Sequence, residues 1–346
     1  MKYLSVEDFL SMSKDFPIID VRSEAEFVHA HIPGAHNIQL FNNKERAEIG
    51  LIYKLQGSET AISRGYDLVG PKFQHYFEQL RNLTQQKKIL IHCWRGGMRS
   101  SSLAWLYETA GYECFVLTKG YKAFRNYVLE SFSKPANIII LAGKTGSGKT
   151  DVLNELAKKG EQLLDLEKYA NHKGSAFGHL GQAAQPSSEY FENLIFMEWM
   201  NFNLSRPIWI EDENQQIGNI FIPLHLWRQM QNSPVFMIDV SIESRIERLM
   251  LDYAGFNADH LISCFEKIAR RIGSENLKIA IESIRNDDLK SACQIVLKYY
   301  DKAYLVSLSK KRPVLVNNIQ VGNSDVCLIA EMLQDRAHSY LKSNQI

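Results

Sequence analysis

Short apolar runs alternate with amphipathic stretches through the first third of the chain. Residues 17–21, 88–92 and 113–117 are apolar runs of strand length, whereas 100–109 and 121–131 carry helical spacing, with Gly111 placed to cap the first of these helices. Strands separated by helices imply a parallel sheet, the mark of an α/β fold. Ser133-Lys134-Pro135 breaks the pattern, and it then restarts. Residues 137–141 read as a strand, 149–158 as a helix, 162–166 as a strand and 188–203 as a long helix. Residues 207–210 and 235–240 read as further strands. Beyond Ser241 helical spacing dominates, with one late strand at 314–316. The expected organisation is an α/β domain over 1–133, a second α/β domain over 137–240, and a mostly helical extension over 241–346 packed on the second.

Composition supports two cores. The chain has 346 residues, 45% hydrophobic and 23% charged, too many for one ordinary domain and too apolar for a disordered chain. No run approaches the ~20 apolar residues of a membrane helix. The first eight residues are polar and acidic, unlike a secretory signal. Forty basic residues against 39 acidic ones leave a net charge of +1, so any nucleic acid would have to be held by a local patch. The five cysteines, at 93, 114, 264, 293 and 327, are scattered and form no CxxC pair. That argues against a disulfide framework or a structural zinc site and fits a reduced cytoplasmic setting.

Gly143-Lys144-Thr145-Gly146-Ser147-Gly148-Lys149-Thr150 fits the phosphate-binding pattern GxxxxGK[ST], with an apolar strand before it and a helix after. The glycines let backbone N–H groups converge on phosphate oxygens, and the helix N-terminus adds its dipole. Lys149 supplies a mobile cation, and Thr150 can hold Mg²⁺. A metal partner is expected at the end of another strand. Glu211 and Asp212, with Glu213, and Asp165, with Glu167, are the candidates.

His92-Cys93-Trp94-Arg95-Gly96-Gly97-Met98-Arg99-Ser100 leads from a strand end through a glycine-rich turn into a helix. Amides of such a loop form an anion nest, and the helix N-terminus with Arg95 or Arg99 favours the thiolate of Cys93. Cys93 is therefore the candidate nucleophile, with Trp94, Arg95, Gly96, Gly97, Met98 and Arg99 as its anion loop. The other four cysteines read as packing residues. Two chemistries share this pattern: the protein tyrosine phosphatases cradle a phosphate in it, the rhodaneses a cysteine persulfide.

Upstream residues favour the second. Asp20-Val21-Arg22, Glu26-Phe27 and His31-Ile32-Pro33-Gly34-Ala35-His36-Asn37 resemble the rhodanese pattern, as does Leu117-Thr118-Lys119-Gly120-Tyr121-Lys122-Ala123-Phe124 downstream. The resemblance implies a rhodanese-like doubly wound domain, followed here by a P-loop NTPase-like α/β domain. A rhodanese domain joined to a P-loop domain resembles the bacterial tRNA 2-selenouridine synthase family. Gly50-Leu51-Ile52-Tyr53-Lys54, Cys93 through Ser100, and Glu211-Asp212-Glu213-Asn214 resemble family segments. Asn171-His172-Lys173-Gly174-Ser175 does too, with Lys173 where arginine is expected.

The resemblance implies a transferase acting on tRNA with 2-thiouridine at the wobble position. It implies that the sulfur is geranylated from geranyl diphosphate and that the S-geranyl group is then replaced by selenium from selenophosphate. On that reading Cys93 takes selenium from selenophosphate as a perselenide, while the P-loop holds geranyl diphosphate with Mg²⁺. Lys119, Lys122 and Arg125 are candidate tRNA contacts, and Arg270 with Arg271 forms a second basic pair. Trp94, Trp199 and Trp209 are available for stacking, the last two more naturally as core. Three rival readings remain at this stage: a nucleotide-dependent kinase or ATPase with a rhodanese domain, a phosphatase, and a non-catalytic sulfur or selenium carrier. The oligomeric state is not given by the sequence.

Overall fold

The structure is a computed structural model, and it describes residues 1–311, 316–321 and 325–343. The chain folds into two compact units, one comprising Met1–Ser131 with Glu192–Phe196, the other Phe132–Phe191 with Met197–Ile346.

The first unit is built on a five-stranded parallel sheet. Its strands are β1 (Lys2–Leu4), β2 (Ile18–Asp20), β3 (Ala35–Asn37), β4 (Lys88–His92) and β5 (Glu113–Leu117), in the order β1-β5-β4-β2-β3. β4 and β5 coincide with the expected apolar runs. β1 and β3 were not foreseen: each has three residues and lies at a sheet edge, too short to show a period. Both faces of the sheet are covered by helices, which is why its central strands are apolar without alternation. Ile19, Ile89, Ile91, Val116 and Leu103 form the heart of this core. Three helices, Asn43–Gln56, Ser58–Val69 and Phe73–Leu83, fill the long connection from β3 to β4. Tyr76 locks the third by donating from its hydroxyl to the Leu40 carbonyl at 2.7 Å.

The second unit repeats the plan. Its sheet contains β6 (Ile138–Gly143), β7 (Gln162–Leu164), β8 (Ile208–Glu211), β11 (Val235–Asp239) and β12 (Val316–Gln320), all parallel, in the order β12-β11-β6-β8-β7. A small antiparallel pair, β9 (Gln216–Ile217) and β10 (Ile220–Phe221), stands apart. The strand expected at 314–316 runs instead over Val316–Gln320; 314 and 315 lie outside the described residues. β7 ends two residues before the expected point because Asp165 turns outward and caps the next helix, accepting from Lys168 N at 2.8 Å. The long helix covers Ser188–Trp199, four residues short of the expected end.

Residues after Ser241 do two jobs. Helix Val326–Ser343 packs Ile329, Ala330 and Leu333 on Val152, Leu153 and Leu156 of the helix that follows β6. Cys327, read from sequence as a packing residue, is exposed, because it lies off this apolar stripe. The helices between Ile242 and Lys311 form their own apolar cluster around Phe177, Leu261, Phe265, Ile268, Ala280 and Val296. Trp199 and Trp209 are core residues, 2% and 0% exposed, and unavailable for stacking on a ligand. Among the described residues no helix is long and apolar enough to cross a membrane.

Candidate functional site

Each unit carries a glycine-rich loop at the carboxyl end of its sheet, where doubly wound folds place their ligands. In the first unit β4 ends at His92, and Cys93 follows at the foot of the turn into helix Met98–Thr109. The Cys93 side chain is buried. Its Sγ lies 3.3 Å from Ser100 Oγ, while Ser100 Oγ donates to the Gly97 carbonyl at 2.9 Å. The turn is tied to the segment after β5: Tyr121 N donates to the Cys93 carbonyl at 2.8 Å and Lys122 N to the Trp94 carbonyl at 3.0 Å. Gly96 and Gly120 have φ of +63° and +60°, a region that costs other residues strain.

Beneath the loop lies a buried polar group. Arg22 grips Asp20 with two prongs, donates to the Ala30 carbonyl at 2.7 Å and stacks 3.8 Å from the Tyr121 ring centre. Burial pushes the Asp20 carboxyl up but is outweighed by His92 and Arg22, so it sits below the usual carboxylate range. His92 is fully buried, and burial pulls it down to about 4 although Asp20 Oδ2 is only 3.7 Å away and the Cys93 backbone also favours the charged ring. Neutral near pH 7, the ring leaves Arg22 as the charge partner of Asp20.

The arginines of the loop diverge. Arg99 donates to Glu26 at 2.9 Å, and Glu26 also closes the capping box of helix Glu24–His29. Arg95 is exposed and among the described residues pairs with no carboxylate. Met98 is exposed and Trp94 leans on Tyr121 at 5.7 Å. Of the candidate RNA contacts, Lys119 and Lys122 are exposed. Arg125 is half-buried, bonded to Asn193 and paired with Glu192, so its charge is spent inside the unit.

In the second unit the glycine-rich loop follows β6 and opens onto a cavity of about 730 Å³. Gly143, Thr145, Gly146, Ser147, Gly148, Lys149 and Thr150 line it, as do Asp165, Glu211 and Asp212. Lys144 does not; it pairs with Asp239 at 3.3 Å. Lys149 Nζ donates to the Gly143 carbonyl at 3.0 Å, and among the described residues the buried Ser147 hydroxyl has no partner. Parallel pairing of β6 with β8 brings Glu211 and Asp212 beside the loop. Glu211 accepts from Glu167 N at 3.0 Å through one oxygen, while the other is buried and has no partner among the described residues. Burial, then Asp165, pushes Glu211 well above the ordinary carboxylate range, and burial with Glu167 does the same to Glu213. Lys173 lines the cavity beside these carboxylates.

Sequence reasoning missed the far wall. Tyr304 reaches in from the C-terminal helices, accepting from Gly143 N at 3.1 Å and donating to Asp212 at 3.0 Å. Tyr253, Tyr299 and Tyr300 stand beside it, and Arg271, one of the second basic pair, lines the cavity with Arg248. The only signal for these in the sequence is the density of tyrosines among the late helices.

Comparison with known proteins gives two family matches. Residues 136–338 match the model described as the tRNA 2-selenouridine synthase AAA domain, and residues 5–127 the rhodanese-like domain. Curated relatives bearing the name tRNA 2-selenouridine synthase include one from Nitrosomonas europaea, 30% identical over 86% of this chain and 90% of the relative. Another, from Shewanella denitrificans, is 32% identical over 86% of this chain and 89% of the relative. A third, from Pseudomonas putida, is 34% identical over 78% of this chain and 74% of the relative.

Proposed function

The chain belongs to the tRNA 2-selenouridine synthase family, and from that premise we propose how its two cradles divide one modification of tRNA. As a member it is a transferase that acts on tRNA, with selenophosphate as a substrate. Our reading is that the acceptor is 2-thiouridine at the wobble position. Its sulfur is first geranylated from geranyl diphosphate, and the S-geranyl group is then exchanged for selenium.

One observation carries this division: the chain holds two anion cradles of different chemistry, one with a buried thiol and one with a lysine and a cavity of about 730 Å³. The reaction has two anionic co-substrates, and each suits one cradle. At the P-loop, amides 146–149 and Lys149 hold the diphosphate, and Lys149 stabilises it as it departs. Mg²⁺ fits here. Thr150 offers a hydroxyl, Asp165, Glu211 and Asp212 line the cavity, and Glu211 has an unbonded buried oxygen. Among the described residues no group of three His, Cys, Asp or Glu side chains is placed to hold a metal ion without further ligands. Bound there, it would neutralise the leaving diphosphate. In the rhodanese loop the amides and Arg95 hold selenophosphate beside Cys93: selenium bonds to C2 of the base, geranyl thiolate leaves with the Cys93 proton, and water then breaks the Se–P bond to release phosphate.

The test uses purified protein and tRNA containing 2-thiouridine, with nucleosides read by mass spectrometry. Geranyl diphosphate with Mg²⁺ is expected to give S-geranyl-2-thiouridine, and added selenophosphate to give 2-selenouridine. Lys149→Ala should block the first product and Cys93→Ser only the second. Unimpaired geranylation by Lys149→Ala would overturn the P-loop assignment, and unimpaired selenation by Cys93→Ser the thiol's role.

A further inference from the structure

The cavity above the P-loop does not end at its polar wall. Thr145, Leu249, Tyr253 and Tyr300 line it and also line an adjoining apolar crevice that runs into the cluster of C-terminal helices. The crevice is floored by Phe177, Phe265, Cys293 and Val296 and has room for about 20 Å³, roughly one water-sized sphere. Its mouth is beside the phosphate loop itself: Leu249 Cγ lies 3.2 Å from where a Cβ on Gly146 would stand.

The hydroxyls that might have made this mouth polar are already used. Tyr300 accepts from Ala176 N at 3.3 Å, and Tyr253 is bonded to Ser175. Both hydroxyls are therefore engaged by neighbouring protein groups, and the crevice beyond them is lined almost wholly by apolar side chains. A nucleobase placed here would leave its donors and acceptors unpaired, at a cost an aliphatic chain does not incur.

We propose that this mouth is the tail subsite of the P-loop ligand: the aliphatic chain of an organic diphosphate lies across Leu249 and the rings of Tyr253 and Tyr300, and the closed crevice limits its length. The inference rests on the reading that the P-loop holds a prenyl diphosphate rather than a nucleotide. It makes Leu249 a specificity-determining residue, in contact with the phosphate loop on one side and the dry crevice on the other.

Calorimetric titration of the full chain with inorganic diphosphate, ATP, and dimethylallyl, geranyl and farnesyl diphosphates tests it. The wild type should bind geranyl diphosphate at least about tenfold more tightly than inorganic diphosphate, from burial of a few methylene groups. Leu249→Trp, which fills the mouth, should erase most of that gap while inorganic diphosphate still binds, which also shows that the variant is folded. Leu249→Ala should move the preference toward farnesyl diphosphate. An unchanged ranking of tails in both variants would overturn the subsite while leaving the P-loop reading intact. ATP binding more tightly than every prenyl diphosphate, or no loss of diphosphate binding in Lys149→Ala, would overturn the reading and the subsite with it.

Discussion

Gly96 and Gly120 meet so closely that neither has room for a side chain. A Cβ on Gly120 would stand 2.4 Å from Gly96 N and 2.3 Å from the Cys93 carbonyl oxygen, and one on Gly96 would stand 2.9 Å from Gly120 N. The backbone after β5 is thus pressed directly against the loop that carries the thiol, and the Tyr121 and Lys122 amides complete the contact.

Gly120→Ala is therefore expected to open the cysteine loop. The new methyl meets backbone, which cannot swing aside, and φ of +60° adds strain for any L residue. Destabilisation of at least about 2 kcal/mol is expected in denaturant unfolding of the first unit. Selenation should fall by much more than geranylation. A variant with wild-type stability and selenation would show that the interlock does not position Cys93.

The two glycine-rich loops were legible in the sequence because each is written locally. A strand, a few glycines and a helix start suffice to point amides at an anion, and all lie within a dozen residues. What was not legible came from far along the chain. Tyr304 meets Gly143 and Asp212, and Arg245 meets Thr145, across helices whose spacing shows which face is buried but not which loop that face covers. Charge shows neither partner nor place in the same way: Arg125, in a basic stretch, pairs with Glu192, and Arg271, one of a basic pair, lines a cavity. β1 and β3 escaped because three residues at an edge carry no period.

His92 gives the first unit a distinctive acid sensitivity. Its folded value of about 4 lies below the unfolded 6.5, because burial disfavours the charged ring. The neutral ring is thus preferred in the fold. Its stabilising share is complete above the unfolded value and is lost as pH falls through the folded one. Between pH 7 and pH 4 the wild type should lose about 3 kcal/mol through this group. His92→Phe keeps a buried ring but removes the titrating group, and should flatten that loss. The measurement is urea unfolding of both proteins across this range. Equal pH slopes would show that His92 is not the group responsible.

Arg245 holds the phosphate loop from behind. It is 1% exposed, donates from Nε to the Thr145 carbonyl at 2.8 Å, and grips Asp301 with both Nη atoms at 2.8 and 2.6 Å. Arg245→Met would strand a carboxylate and a carbonyl, so a loss of about 3 kcal/mol in stability is expected. The double variant Arg245→Met with Asp301→Leu removes the stranded, partly exposed carboxylate and should recover much of that stability, because apolar replacement of such a pair costs little. Affinity for inorganic diphosphate should not recover, since the Thr145 carbonyl has still lost its anchor and the loop amides their fixed aim. Thermal unfolding and calorimetric titration of the three proteins separate the two effects. If stability and diphosphate affinity return together in the double variant, the arginine serves the fold alone; if only stability returns, it is the residue that keeps the P-loop set for its ligand.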